Sequence, residues 1–168
     1  MVIAPRGLVV AALCTIGLLV PAAASADQSY GDPEGDNSGA PDVTTVAVSN
    51  DNDGNVNFRI SLAGAADLPT DGVLLLMIDT DRTSTTGGQD GEEVAIVIDG
   101  SDSSFDYGRW NGTKVDFAVQ AQTVRVGFRT GAVEILVNKS ELNNATTFDF
   151  WTYGDKWLAD AVTAEDAA

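Results

Sequence analysis

The sequence predicts an all-β fold, an antiparallel β-sandwich of jelly-roll type with about 8–10 short strands. Three observations predict it. Apolar and polar residues alternate over several short segments, as in a strand that turns one face to a core. Turn-forming residues recur between these segments, and no helical periodicity extends beyond about two turns. Parallel βαβ units are excluded because the helical crossovers they need are missing.

The N-terminal segment, residues 1–26, predicts a secretory signal peptide. Arg6 supplies a positive charge, residues 8–20 form an apolar stretch too short for a membrane span, and small residues precede Asp27. The single cysteine, Cys14, lies within that stretch, so the mature chain is expected to contain no disulfide. We therefore expect a secreted, extracellular protein that has no membrane contact after signal cleavage.

The rest of the chain divides into three parts. Residues 27–42 are rich in Gly, Pro, Asp and Ser without an apolar face, which predicts an acidic leader. Residues 43–162 carry the strand signals and form the predicted β-sandwich domain, and residues 163–168 are expected to be a flexible tail. A single domain of this size is expected to be a monomer.

The predicted strands begin at Val43. Alternation is clearest over residues 56–62 and 124–129, which predicts strands with one face in the core. Residues 73–78 and 94–98 are continuously apolar, which predicts central strands with little solvent on either face. Weaker strand signals occupy residues 43–48, 115–119, 133–137 and 148–152.

Charge and composition exclude several function classes. The chain has 9 Lys and Arg against 25 Asp and Glu, a net charge of −16, and no histidine. Binding of nucleic acid requires a basic footprint and is not expected. Histidine-dependent hydrolases and histidine zinc sites are excluded, as is a cysteine nucleophile in the mature chain. A non-catalytic role is therefore expected, with a small carboxylate-dependent glycosidase as the alternative.

An acidic, glycine-rich loop joins the two central strands. Asp79 and Asp81 are two residues apart, so both carboxylates project from one side of the chain, and Glu93 opens the next strand. Calcium takes six to eight oxygen ligands in flexible geometry, and this loop offers carboxylates, carbonyls and hydroxyls. The loop predicts a structural Ca²⁺ site, and a solvated acidic hairpin is the alternative. Asp42 is the expected further ligand, with Asp32 and Asp36 as others that the leader offers.

Several short motifs follow the same order as in a known group of proteins. They are Asp42-Val-Thr-Thr-Val, Phe58-Arg-Ile-Ser-Leu, Ile78-Asp-Thr-Asp, Gly91-Glu-Glu, Arg109-Trp-Asn-Gly and Val137-Asn-Lys-Ser-Glu-Leu. In these motifs the chain resembles the DOMON-like group of secreted β-sandwiches, which includes the family-9 carbohydrate-binding modules. The resemblance implies a β-sandwich with a structural calcium ion, and Asp79, Asp81 and Glu93 match its acidic positions.

Aromatic residues are concentrated in the second half of the chain. Trp110 and Asn111 precede a turn, and Trp151 and Tyr153 project from one side of a strand while Phe148 and Phe150 project from the other. We expect Trp110, Asn111, Trp151 and Tyr153 to bind a ligand such as carbohydrate or a cell-envelope polymer. Packing of these rings in the core is the alternative.

Together these features predict a secreted, non-catalytic binding module with a structural calcium ion. The alternative is an extracellular structural or protein-interaction domain without a small-molecule ligand.

Overall fold

The computed structural model describes residues 28–37, 39–64, 67–156 and 165–167. The predicted signal peptide and its cleavage site lie outside the described residues. Among those described, no helix has the length and apolar character needed to cross a bilayer.

The described residues form eleven strands and one short 3-10 turn, Lys139–Glu141. In chain order the strands are β1 (Gln28–Gly31), β2 (Val43–Asn50), β3 (Asn55–Leu62), β4 (Gly72–Asp79), β5 (Val94–Asp99), β6 (Ser104–Trp110), β7 (Val115–Asp116), β8 (Arg125–Arg129), β9 (Ala132–Asn138), β10 (Asp149–Lys156) and β11 (Glu165–Ala167).

The strands form two antiparallel sheets. One has the order β1-β2-β3-β9-β8, and the other has the order β11-β10-β4-β5-β6-β7. The continuously apolar β4 and β5 occupy the interior of the second sheet, as their sequences predict. Strand β6 was not predicted, because Asp106 and Gly108 interrupt its apolar pattern. The prediction of an antiparallel β-sandwich is confirmed, although the eleven strands of the described residues exceed the predicted range because β1, β6 and β11 carry no strand signal in the sequence.

A single core fills the space between the sheets. Alternate residues of the facing strands point inward, and the fully buried side chains include Val46, Phe58, Ile60, Leu74, Leu76, Ile78, Ile96, Ile98 and Ile135. Burying each such side chain stabilises the fold by about 1.5–3 kcal/mol relative to leaving it exposed. This shared core fixes the register of both sheets, because a slip of one residue would turn the apolar set toward solvent.

Segments on both sides of the predicted domain take part in the sheets. Gln28–Gly31, inside the predicted leader, pairs with β2 from Gln28↔Val48 to Gly31↔Thr45. Glu165–Ala167, inside the predicted tail, pairs with β10. An edge strand needs only main-chain hydrogen bonds, so these segments join the sheets without the apolar alternation that marks the other strands.

Candidate functional site

The acidic loop gathers three carboxylates at one end of the central hairpin. Asp79 is the last residue of β4, and Glu93 precedes β5 and donates its N–H to the Ile78 carbonyl at 3.1 Å. Ligand oxygens of Asp79, Asp81 and Glu93 all lie within 4.8 Å of one another. Asp79 is buried, Glu93 is half-buried and Asp81 is exposed. We call these three residues the acidic cluster.

Hydrogen bonds hold two of the three carboxylates in place. Oδ1 of Asp79 accepts the backbone N–H groups of Asp81 at 3.1 Å, Arg82 at 2.6 Å and Thr83 at 3.2 Å. Oε2 of Glu93 accepts the N–H and the hydroxyl of Thr80, at 2.8 and 3.0 Å. Each of these carboxylates therefore uses one oxygen to fix the loop, and its second oxygen takes no part in these hydrogen bonds.

The Thr86 hydroxyl lies close to carboxylate oxygens of both Asp81 and Glu93. It is 3.0 Å from both oxygens of Asp81 and 3.4 Å from Oε1 of Glu93. One hydroxyl carries a single proton, so it satisfies only one of these acceptors at a time. The cluster therefore holds more acceptors than the neighbouring donors supply.

No basic side chain of the described residues forms an ion pair with the acidic cluster. The ion pairs that form join Arg59 and Arg129 to Glu134, Arg82 to Asp149 and Lys156 to Asp71. Two unit charges 4 Å apart near a protein surface repel by about 4 kcal/mol. A hard cation with oxygen ligands offsets that repulsion, and carboxylates, loop carbonyls and a threonine hydroxyl are the groups that calcium accepts.

Gly91 allows the loop to close over Asp79. Its φ of +100° is one that residues with a side chain rarely adopt, and an added Cβ would lie 2.7 Å from the Ser84 Cα and 3.2 Å from Oδ2 of Asp79. The glycine-rich sequence of the loop thus has a direct geometric function, which is to bring the backbone against the buried carboxylate.

Asp42 does not join the acidic cluster. It follows the leader at the entry to β2, where its Oδ2 accepts the Gly35 N–H at 2.7 Å. The prediction that Asp42 ligates the same ion as Asp79 is therefore not supported by this placement. The reason is register: the segment around Asp42 packs at the Gly154 end of β10, whereas Asp79 pairs with Asp149 at the other end.

Trp110, Trp151 and Tyr153 lie on the outer face of the six-stranded sheet. Trp151 pairs with Met77, and Tyr153 pairs with Leu75 on β4. Thr152 between them is fully buried, and all three aromatic rings are half-buried. The predicted parity is confirmed, and the alternative that these three rings fill the core is excluded by their position.

Asn111 has a structural function in the turn that follows Trp110. Its side-chain oxygen accepts the N–H groups of Thr113 at 3.0 Å and Lys114 at 3.1 Å. The side-chain oxygen of Asn111 therefore closes the β6–β7 turn. This is the usual behaviour of asparagine before glycine in a tight turn.

Sequence reasoning missed an aromatic groove beside β1. The groove has a volume of about 710 Å³, and Tyr30, Phe148 and Phe150 line it. Tyr30 is 45% exposed and meets Phe150 edge to face, with ring centroids 5.1 Å apart. Phe148 and Phe150 also pack against the core, as their parity predicts. Nothing local marked Tyr30, because it is a lone aromatic residue in a polar segment whose pairing is long-range.

The polar wall of the groove connects it to the acidic cluster. Arg82, whose N–H bonds to Asp79, extends its guanidinium to Oδ1 of Asp149 at 3.0 Å. Both Arg82 and Asp149 line the groove. The loop that carries the acidic cluster therefore also places one charged pair in the groove wall.

Asp51 supplies a second carboxylate to the groove. Hydrogen bonds from the side chain and the backbone N–H of Asn55 lower the pKa of Asp51 below its usual value. The two bonds measure 2.8 and 2.9 Å. Asp51 therefore stays ionised at neutral pH and acts as a hydrogen-bond acceptor in the groove wall.

Comparison of the chain with protein-family models, with curated proteins and with solved structures gives no match. The groove and the acidic cluster are therefore the features that bear on function.

Proposed function

We propose that this protein is a secreted, non-catalytic binding module that holds a structural calcium ion in the acidic cluster and binds carbohydrate or cell-envelope polymer in the groove. The observation that carries the proposal is the groove itself. It is an aromatic cleft, and the acidic loop places the Arg82–Asp149 pair in its wall. The proposal that the protein is secreted rests on the predicted signal peptide of residues 1–26.

The groove has the chemistry that a saccharide requires. A sugar ring presents a C–H face to an aromatic ring and hydroxyl groups around its rim, and Tyr30 offers an exposed ring at the opening. Asn50, Asn52 and Asp149 line the same groove and offer amide and carboxylate groups for hydroxyls. A concave, largely apolar cleft with a few polar groups is the usual form of a small-molecule site.

Calcium would act on the groove through the acidic loop. A cation bound by Asp79 and Asp81 fixes the turn that follows β4, because Oδ1 of Asp79 already accepts three N–H groups there. Arg82 belongs to that turn, and its guanidinium braces Asp149. Removing the cation should therefore loosen one wall of the groove and weaken ligand binding.

The two groove carboxylates favour binding over glycoside hydrolysis. A glycosidase needs one carboxylic acid that keeps its proton near neutral pH. The pKa of Asp51 is lowered by the Asn55 hydrogen bonds, which is the opposite direction. Asp149 is engaged by the Arg82 guanidinium. The Asn55 hydrogen bonds therefore hold Asp51 as an ionised acceptor.

Calorimetric titration with soluble oligosaccharides tests the proposal. Xylohexaose, cellohexaose and chitohexaose are titrated into the protein in calcium, and at least one is expected to bind. Replacing Tyr30 with Ala should weaken that binding by more than about tenfold, which is 1.4 kcal/mol. Phe117→Ala is the matched control, because Phe117 is 44% exposed on the β7 side and does not line the groove.

Other outcomes separate the alternatives. Binding that survives Tyr30→Ala but is lost in Trp110→Ala or Trp151→Ala would assign the ligand to the outer face of the sheet. Absence of binding to every oligosaccharide tested would contradict the carbohydrate proposal and favour a protein-interaction domain.

A further inference from the structure

The leader contains a second group of oxygen atoms that lack partners. Oδ2 of Asp32, Oδ1 of Asn37 and Oδ1 of Asp42 are all buried and accept no hydrogen bond. We call these three residues the leader site. Buried polar atoms are nearly always paired, so three orphaned acceptors in one short segment require an explanation.

Two hydrogen bonds from backbone N–H groups bring the ends of the leader together. The Asp32 N–H donates to the Thr44 carbonyl at 2.9 Å, which continues the β1–β2 ladder next to Asp42. The Gly35 N–H donates to the other oxygen of Asp42, Oδ2, at 2.7 Å. Asp32 and Asp42 are thereby held on neighbouring stretches of backbone, ten residues apart in sequence.

Asn37 is fixed inside this turn. It is only 8% exposed, and its Nδ2 donates to the carbonyls of Pro41 and Gly154, both at 3.2 Å. With the nitrogen committed to these carbonyls, the amide orientation is set and the oxygen faces the interior without a donor. One more partner for this buried oxygen would therefore stabilise the fold.

The three oxygens have the composition of a cation site. No described arginine or lysine pairs with Asp32 or Asp42, since the ion pairs of the molecule involve other carboxylates. A buried carboxylate oxygen without a partner is destabilising, and a bound metal ion removes that destabilisation. Two carboxylates and an amide oxygen are hard ligands of the kind that calcium takes.

We propose that Asp32, Asn37 and Asp42 bind a divalent cation, calcium by its ligand set, at a site distinct from the acidic cluster. Asn37 bonds to Gly154, whose pairing partner is Leu74, and the acidic cluster begins five residues further along β4 at Asp79. At about 3.3 Å per residue the two sites are roughly 17 Å apart along the strand. They bind separate ions.

The leader site would fasten the N-terminal edge strand to the sandwich. Its residues connect the end of β1 to the start of β2 and, through Gly154, to β10 of the other sheet. Tyr30 lies in β1 two residues before Asp32. Cation binding at the leader site is therefore expected to hold the aromatic wall of the groove in place. This consequence for the groove rests on the proposed function, whereas the leader site itself is independent of it.

Calcium titration of protein variants tests the leader site independently of the acidic cluster. In an Asp81→Asn background, which disables the acidic cluster, calorimetry should still detect one bound calcium per chain. Adding Asp42→Asn should weaken that binding by more than about tenfold. Adding Asp36→Asn instead should leave it unchanged, because Asp36 is an exposed carboxylate in the same leader.

Three results would overturn the leader site: no calcium bound in the Asp81→Asn background, no effect of Asp42→Asn, or an equal effect of Asp36→Asn. If Asp42→Asn does not fold, Asp32→Asn replaces it. Backbone amide shifts of Gly35 and Asn37 in the unmodified protein provide a second measurement. These amides should move on calcium addition, and shifts confined to residues 79–93 would leave the acidic cluster intact and refute the leader site.

Discussion

Replacing Asp81 with Asn should remove the part of the calcium stabilisation that comes from the acidic cluster, without lowering stability in chelator. Asp81 is the exposed member of the acidic cluster, and its contact within the loop is with the Thr86 hydroxyl at 3.0 Å, which an amide oxygen can also accept. The substitution therefore removes one negative charge and little else. It separates the metal function of the cluster from its function in holding the loop.

The magnitudes follow from ligand linkage. A ligand at a hundredfold excess over its Kd stabilises the folded state by about 2.7 kcal/mol. For a domain of this size that corresponds to a Tm increase of roughly 5–10 °C in the parent protein. In chelator the variant should melt at the same temperature as the parent or slightly above it, because removal of an exposed repelling charge is worth up to about 1 kcal/mol.

The assay is a thermal melt in excess calcium and in chelator, followed by circular dichroism. Asp90→Asn is the matched control, since Asp90 is exposed in the same loop and lies outside the acidic cluster. The control should keep the full calcium increment. Equal calcium increments in the parent and Asp81→Asn, or loss of the increment in Asp90→Asn as well, would refute the reasoning.

Three further substitutions probe other parts of the account. Asp79→Ala should lower stability in chelator by about 1–3 kcal/mol, because three N–H groups lose their acceptor, and by more in calcium, because the acidic cluster also loses a ligand; melts in both conditions check this. Gly91→Ala should cost at least about 1 kcal/mol through its φ of +100°, measured by urea unfolding. Burial raises the pKa of Tyr107 above its ordinary value of 10.0, so stability is complete below about pH 10 and falls as the pH rises further. Tyr107→Phe should remove that alkaline loss while costing about 1 kcal/mol at neutral pH, where the hydrogen bond to the Glu141 carbonyl disappears; melts from pH 7 to 11 measure both effects.

The fold was predictable from the sequence where the apolar pattern of a single strand is enough to identify it. The continuous apolar runs of β4 and β5 and the alternation of β3 reflect burial on two faces or one, and burial dominates the choice of strand. Strand β6 was not predicted, because Gly108 interrupts its apolar pattern. Val115 and Phe117 pack so closely against Gly108 that no side chain fits at this position. Strand β1 was not predicted, because main-chain pairing at a sheet edge leaves no pattern in side-chain polarity.

The candidate site was predictable only where its residues are local. Asp79, Asp81 and Glu93 come together through one hairpin, so their spacing already indicates proximity. Asp42 was assigned to the wrong end of the sandwich because its neighbours depend on sheet register. The groove joins Tyr30 to Phe150 across 120 residues of sequence, and no local pattern encodes that contact.

Crystals of the protein grown in calcium test the central claim most directly, through anomalous scattering recorded at a long X-ray wavelength. The account predicts a peak within about 2.3–2.6 Å of carboxylate oxygens of Asp79, Asp81 and Glu93. It also predicts that Arg82 remains paired with Asp149 in the groove wall. An acidic cluster without a peak, its carboxylates bonded to water and Thr86 alone, would contradict the account.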